Sequence, residues 1–281
     1  MANEIRIDAL LPAEMATRAE YLGVRKAEMP FLAMFTLAIL AGAFIALGAM
    51  FATTALAGTT GVIPYGVARV LAGLVFCLGL ILVIVGGAEL FTGNNLIVMA
   101  WASGKVTTAA LLRNWIIVYL GNFVGAVATA AMVYSSKQYL FGGGSVGQTA
   151  LSIASSKAQI GFWQGIALGV LCNALVCLAV WLTFSARSTI DKIAAILFPI
   201  TAFVAAGFEH SIANMYFIPI GLFIKAFDTG FVANTGMDVS GLTWSAFLIN
   251  NLLPVTIGNI IGGSILVAAV YWSVFLRRID K

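Results

Sequence analysis

Charge is what this sequence lacks most. Only 9% of its 281 residues are Asp, Glu, Lys or Arg, while 61% are hydrophobic. A soluble domain carries about 25% charged and about 45–50% apolar residues. No water-soluble fold hides that much apolar surface, so a soluble domain is excluded and one compact helical bundle in lipid is implied. The net charge of +4 is no nucleic-acid signal, because the basic residues stand at the ends of apolar runs and form no stripe that could track phosphates.

Histidine occurs once, as His210, and cysteine three times, as Cys77, Cys172 and Cys177. The cysteines fall inside apolar runs without metal-ligand spacing to the histidine, so they read as small hydrophobes, and neither a metal nor a cofactor is expected. Phe141-Gly-Gly-Gly-Ser145 lacks the Lys-Ser/Thr of a phosphate loop and reads as a linker. With one histidine, no ligand cluster and no ATP-binding loop, the chain is not expected to be an enzyme or a primary pump. The charge-rich first thirty residues contain no apolar signal core. From Leu10 to Glu28 they read as an amphipathic helix, with Pro12 near its start and Met15, Ala19 and Leu22 on one face, lying on the membrane surface or capping the bundle.

What is abundant is apolar run length. No charge occurs between Glu28 and Arg69, and Phe31 to about Thr53 is long enough to cross a hydrocarbon core roughly 30 Å thick. The second span begins near Val70, meets Glu89 after a short apolar stretch, and continues from Leu90 to Gly104 as a piece too short to cross alone. The third runs from about Trp115 to Tyr134 and the fourth from about Ala158 to Phe184. The fifth, Ile193 to Phe208, is cut by Glu209 and His210 and followed by a half-length piece, Ser211 to Ile224; the sixth runs from about Ser245 to Phe275.

Six spans place both termini on one side. Arg6, Arg18, Arg25, Lys26, Lys105, Arg113, Arg187, Lys192, Arg277, Arg278 and Lys281 fall on that side, and Arg69, Lys137, Lys157 and Lys225 opposite. The excess of positive charge puts the termini in the cytoplasm.

The two interruptions share a pattern. Gly87-Ala-Glu89-Leu-Phe-Thr-Gly-Asn94 and Gly207-Phe-Glu209-His-Ser-Ile-Ala-Asn214 both read Gly-x-Glu-x-x-x-x-Asn. In the spans that follow, Asn114, Val118, Gly121, Asn122 and Gly125 align with Asn251, Val255, Gly258, Asn259 and Gly262. Each half has three spans, so the second inserts upside down. The expected fold is all-α and membrane-integral: six transmembrane helices as two inverted three-helix repeats, with helices two and five broken. The expected organisation is an N-terminal cytoplasmic helix (1–29), a first membrane repeat (30–137), a linker (138–156), a second repeat (157–277) and a cytoplasmic tail (278–281).

A helix that unwinds in lipid leaves backbone groups unpaired unless they face protein or a water-filled cavity, so the two breaks are expected to line a transport path. Half-helices beginning near Asn94 and Asn214 would aim their N-terminal dipole ends at the membrane centre, a field that favours anions. An ionised group at that depth costs about 2.5–3.5 kcal/mol, so Glu89, Glu209 and His210 need partners and a purpose. The glutamates are expected to accept hydrogen bonds from freed loop backbone, with Glu209 also orienting His210. His210 is expected to handle protons. Leu90 takes in the first half the place of His210 in the second, one half supplying a hydrophobic plug and the other a titratable group.

Leu-Phe-Thr-Gly-Asn (90–94), Gly-Asn-x-x-Gly (121–125), Gly-Phe-Glu-His-Ser-Ile-Ala-Asn-Met (207–215) and Pro-Val-Thr-Ile-Gly-Asn-Ile-Ile-Gly-Gly (254–263) resemble the formate/nitrite transporter family over nearly the whole chain. Leu-Leu-Pro-Ala-x-Met (10–15) and Val-Cys-Leu-Ala-Val-Trp (176–181) make it most similar to the formate channels. The resemblance implies an aquaporin-like protomer in a homopentamer of the bacterial inner membrane, each protomer with its own pore for formate or similar small anions.

It also implies roles. His210 matches the central histidine, Thr92 the threonine facing it, Asn173 an asparagine close to the histidine and Lys157 an anion-attracting lysine of the outer vestibule. Leu80, Leu90, Phe91 and Val176 match the inner constriction, Phe76 and Phe203 the outer one. Taken without the family, Lys157 is equally a snorkelling lysine at a helix end, and Phe76 and Phe203 are equally ordinary core. The expected mechanism gathers a small carboxylate at the vestibule and transfers a proton to it from His210, so that the neutral acid passes the apolar slits. A nitrite or hydrosulfide pore is the alternative of the same type; a neutral-solute channel is the other.

Overall fold

The structure is a computed structural model that describes residues 9–277. The expected tail 278–281, and with it Arg6, Arg278 and Lys281 of the charge pattern, lie outside the described residues. Among the described residues the chain is helical without strands. Its helices are α1 (Pro12–Ala27), α2 (Phe31–Leu56), α3 (Tyr65–Gly86), α4 (Val98–Ala102), α5 (Thr108–Ser135), α6 (Ser145–Ala158), α7 (Phe162–Thr183), α8 (Thr189–Ala205), α9 (Ser211–Phe227), α10 (Thr229–Thr235) and α11 (Ala246–Phe275). Helices α2, α3, α5, α7 and α11 are each long and apolar enough to cross a membrane; α9 together with α10, which turns away from it by 104°, would make a sixth span.

Glycine sets the closest helix contacts. A Cβ on Gly125 of α5 would lie 1.9 Å from the Ile39 carbonyl oxygen of α2, and one on Gly262 of α11 would lie 2.2 Å from the Val170 carbonyl oxygen of α7. Neither position admits any side chain, and in lipid such close backbone approach is what holds helices together. The Gly121 to Gly125 face is therefore occupied inside the chain, against α2.

Three helices start earlier than apolarity suggests. Helix α3 begins at Tyr65 rather than near Val70, α5 at Thr108 rather than Trp115, and α8 at Thr189 rather than Ile193. In the first two, the charge that looks like a boundary has a backbone partner on another segment: Arg69 donates to the Ala205 and Val204 carbonyls, and Arg113 to the Met29 carbonyl at 3.2 Å. In α8 the early charges are Asp191 and Lys192, and Asp191 accepts from the Ser188 N–H at 2.9 Å and so caps the first turn.

The segment expected as a linker, 138–156, contains most of α6, which packs on α9. Of its four glycines, Gly142, Gly143 and Gly144 stand in the turn before α6 with positive φ, and Gly147 lies inside that helix. Helix α1 buries Met15, Ala16, Ala19, Glu20, Gly23 and Ala27, while Leu22 is half-buried. Of the two placements open to it, capping the bundle is the observed one: α1 lies against 93–102 and the ends of α5 and α11, and Glu20 is paired with Lys105.

Candidate functional site

Two non-helical segments meet at the centre of the bundle. After α3, Gly87 adopts φ 77° and the chain runs without helix to a tight 3-10 turn at Gly93–Ile97. After α8, Gly207 adopts φ 76° and the chain runs to α9, whose N-cap is His210. Only glycine enters this left-handed region without strain, which is why each segment opens on one.

Buried backbone in these segments needs partners, and one asparagine serves each. Asn122 of α5 accepts from the Phe91 N–H at 2.9 Å and donates to the Glu89 carbonyl at 2.9 Å and the Ala38 carbonyl at 2.7 Å. Asn259 of α11 accepts from the Ser211 N–H at 2.9 Å and donates to the Glu209 and Gly169 carbonyls, each at 2.9 Å. The residue between the bonded groups is Leu90 in one segment and His210 in the other.

The glutamates do something else. Glu89 takes Lys26 at 2.6 Å on one carboxylate oxygen and Asn94 at 2.8 Å on the other. Glu209 takes Lys157 at 2.7 Å on one oxygen, and Asn214 at 2.7 Å and Asn251 at 3.3 Å on the other. Asn94 and Asn214 also donate to Asn114 and Asn251, at 3.0 and 2.7 Å. The expectation that the glutamates hold freed loop backbone is therefore corrected. A carboxylate at this depth is stabilised by a full positive charge more than by an amide, and the amide side chains of Asn122 and Asn259, which both donate and accept, suit the backbone better.

His210 is held from both sides of its ring. Nδ1 accepts from the Ala213 N–H at 3.1 Å, and Nε2 lies 3.1 Å from Thr92 Oγ1. With Nδ1 accepting, a neutral ring carries its proton on Nε2 and donates it to Thr92. The hydrogen bonds and ion pair of the Glu209 carboxylate go to Lys157, Asn214 and Asn251, so the ring's orientation comes from the first turn of α9 and from Thr92, not from Glu209. At the dipole end of α9 the Ser211 and Ala213 N–H groups go to Asn259 and His210.

Asn173 does not bond to the histidine; it donates to the Thr92 carbonyl at 3.2 Å and the Asn259 carbonyl at 2.7 Å, and so ties the first segment to α11. Cys177, read from sequence as a plain hydrophobe, has its Sγ 3.3 Å from that same Thr92 carbonyl.

Two cavities approach this junction. The larger, about 990 Å³, is lined by Phe76, Phe203, Lys157, Glu209 and His210 among others. The smaller, about 280 Å³, is lined by Leu80, Leu90, Glu89, Asn94 and Gly93, and by Lys26 and its neighbours on α1. Phe76 and Phe203 meet edge to face with centroids 5.6 Å apart, and the Phe203 ring lies 5.9 Å from that of His210. Thr92 lines neither cavity: it joins Gly93, on the small one, to His210, on the large one. Phe91 and Val176 are buried but line neither; Phe91 packs edge-on against Tyr119 at 4.9 Å.

Sequence reasoning missed Lys26, Asn122, Asn259 and Cys177 as site residues. The asparagines carried a signal, since both stand in register in the aligned spans; Lys26 carried none beyond its place in the charge count.

A sequence model of the formate/nitrite transporter family matches residues 13–273. The chain is 46% identical over 277 residues to the formate channel FocA of Escherichia coli (strain K12), covering 97% of each. It is 36% identical over 282 residues to the formate channel FocB of the same strain, covering 99% of each. Its fold is similar to that of a pentameric formate channel solved with formate bound, at a TM-score of 0.82 and 44% identity, covering 88% of this chain and 98% of that one.

Proposed function

The chain belongs to the formate/nitrite transporter family, and we propose that it is a membrane channel for formate and similar small monovalent anions, with His210 as the central group of its pore. The observation that carries this reading is the 3.1 Å contact between Thr92 and His210, placed where two cavities approach each other from opposite ends. In this reading the six spans are two inverted repeats, the fifth span being α8 followed by α9 rather than α9 with α10, and the segments after α3 and α8 break helices two and five. The twofold recurrence of the Asn–Glu–Lys arrangement supports it. Both termini face the cytoplasm from the inner membrane, and the chain assembles as a homopentamer, as the similar solved channel does.

Phe76 and Phe203 form the outer constriction, and Leu80, Leu90, Phe91 and Val176 the inner one. Each opposes a bare anion by desolvation. Lys157, held beside the pore by Glu209, meets the carboxylate at contact distance; Asn173 holds Thr92 in place. A passive mode needs nothing more than the Nε2–H of His210 as hydrogen-bond donor to the passing anion. A proton-coupled mode needs the ring charged first. The added proton enters at Nδ1 and releases the Ala213 N–H; the Nε2 proton then passes to the carboxylate, leaving formic acid and a neutral ring.

The test is formate flux into proteoliposomes at several pH values, wild type against His210→Phe, with nitrite and hydrosulfide measured alongside. Flux of His210→Phe equal to wild type across acidic and neutral pH would remove His210 from the mechanism. A preference for nitrite or hydrosulfide over formate would move the substrate to that anion.

A further inference from the structure

Lys157 is not the group that makes the larger cavity positive. Two cations line that cavity, Lys157 and Arg69, and one carboxylate, Glu209. Lys157 Nζ lies 2.7 Å from Glu209 Oε1, so from more than a few ångströms away the two act as a dipole whose charges cancel. Arg69 has no carboxylate partner among the described residues. Its Nε donates to the Ala205 carbonyl at 3.4 Å and its Nη2 to the Val204 carbonyl.

Those are the last carbonyls of α8, and Val204 itself lines the cavity. A helix C-terminus carries roughly half a negative charge, which left bare would repel an anion just where Phe203 narrows the path. A guanidinium bonded to it reverses the sign and leaves a net positive end. Arginine stays charged at every working pH and carries five N–H donors, more than the two bonds to these carbonyls use. Arg69 is half-buried, so its field is less screened than that of an open surface charge.

We propose that Arg69, by capping the C-terminal end of α8, supplies the net positive field that concentrates small monovalent anions in the larger cavity, with Lys157 acting only at contact. This rests on the anion-channel reading above. It assigns Arg69 a role in how often an anion arrives, not in the passage at His210.

The experiment is the initial rate of formate uptake into proteoliposomes of net-neutral lipid, at low and saturating formate and over a range of ionic strength. Wild type is expected to slow as salt rises. Arg69→Gln, which keeps an amide donor for the carbonyls, is expected to lose on the order of 10-fold in rate at low formate and low salt, to lose its salt dependence, and to change little at saturation. Arg69→Lys should retain the salt dependence. Gln164→Glu, which adds a carboxylate from α7 to the wall of the same cavity and leaves Arg69 in place, should reproduce the Arg69→Gln effect, and it serves if that variant does not assemble. Wild-type rate and salt dependence in both Arg69→Gln and Gln164→Glu would overturn the proposal. So would equal loss in Arg69→Gln and Arg69→Lys with salt dependence intact, the mark of a purely structural cap. Absence of formate flux in wild type would instead overturn the functional reading beneath it.

Discussion

Thr92 Oγ1 and His210 Nε2 lie 3.1 Å apart although 118 positions separate them in the chain. The contact exists because each residue sits just past a left-handed glycine that ends a helix, and because Asn122 and Asn259 pin the two non-helical segments to flanking helices. His210 thereby has two duties, capping α9 through Nδ1 and facing Thr92 through Nε2.

Those duties separate by substitution. Asparagine is a good N-cap, so His210→Asn should keep stability within about 1 kcal/mol of wild type while altering the pH dependence of flux. His210→Phe should lose the cap as well, at a further cost of about 1 kcal/mol. Thermal unfolding in detergent and proteoliposome flux, measured on the same preparations, read the two duties independently; equal stability of both variants would show that the Nδ1 bond contributes nothing.

Asn122→Ala leaves the Phe91 N–H and the Glu89 carbonyl without their partner in a buried site. A buried group left unsatisfied costs about 1–3 kcal/mol, so a loss of at least about 2 kcal/mol is expected. Asn259→Ala should lose a similar amount, since its bonds match one for one. Denaturant titration of the two variants checks both the size and the equality.

Lys157→Met strands the Glu209 carboxylate, and Lys26→Met strands Glu89. The lysine side chains are 17% and 31% exposed, their carboxylates 4% and 5%. Removing one partner of a buried pair costs about 3–5 kcal/mol. The drier Lys157 should come near the lower end of that range and Lys26 below it, because water already screens part of its pair. In a double-mutant cycle Lys157→Met with Glu209→Gln should recover part of the loss. If the double variant is no more stable than Lys157→Met alone, the stranded charge is not the cause.

Gly125→Ala puts a methyl 1.9 Å from the Ile39 carbonyl oxygen, whereas a Cβ at Gly66 meets nothing within 4 Å. The first should destabilise by about 1–3 kcal/mol or prevent folding; the second should be neutral or stabilise by up to about 1 kcal/mol. Expression level and thermal midpoint of the pair, read together, test whether close packing of α5 on α2 holds the protomer together.

Much of the architecture was legible in one dimension. Apolar run length located the long helices, and the repeated Gly-x-Glu-x-x-x-x-Asn pattern located both non-helical segments, because hydropathy and glycine punctuation act over a few neighbouring residues. Less of the site was legible. The aligned asparagines marked positions 122 and 259 without revealing that they, rather than the glutamates, hold the loop backbone. The glycine run before α6 hides a helix, and three helices start ahead of their apolar runs because charged residues near their starts find partners on the protein.

What the sequence determined by itself is the class of molecule and where two of its helices end: a chain this apolar has only lipid to fold in, and glycine alone adopts without strain the backbone that opens each non-helical segment. What tertiary structure decided is who compensates whom. Asn122 meets Glu89 across 33 positions and Arg69 meets Ala205 across 136. Where water is scarce, a buried polar group takes whatever partner the packing of other helices brings within about 3 Å, and no local pattern encodes which one that will be.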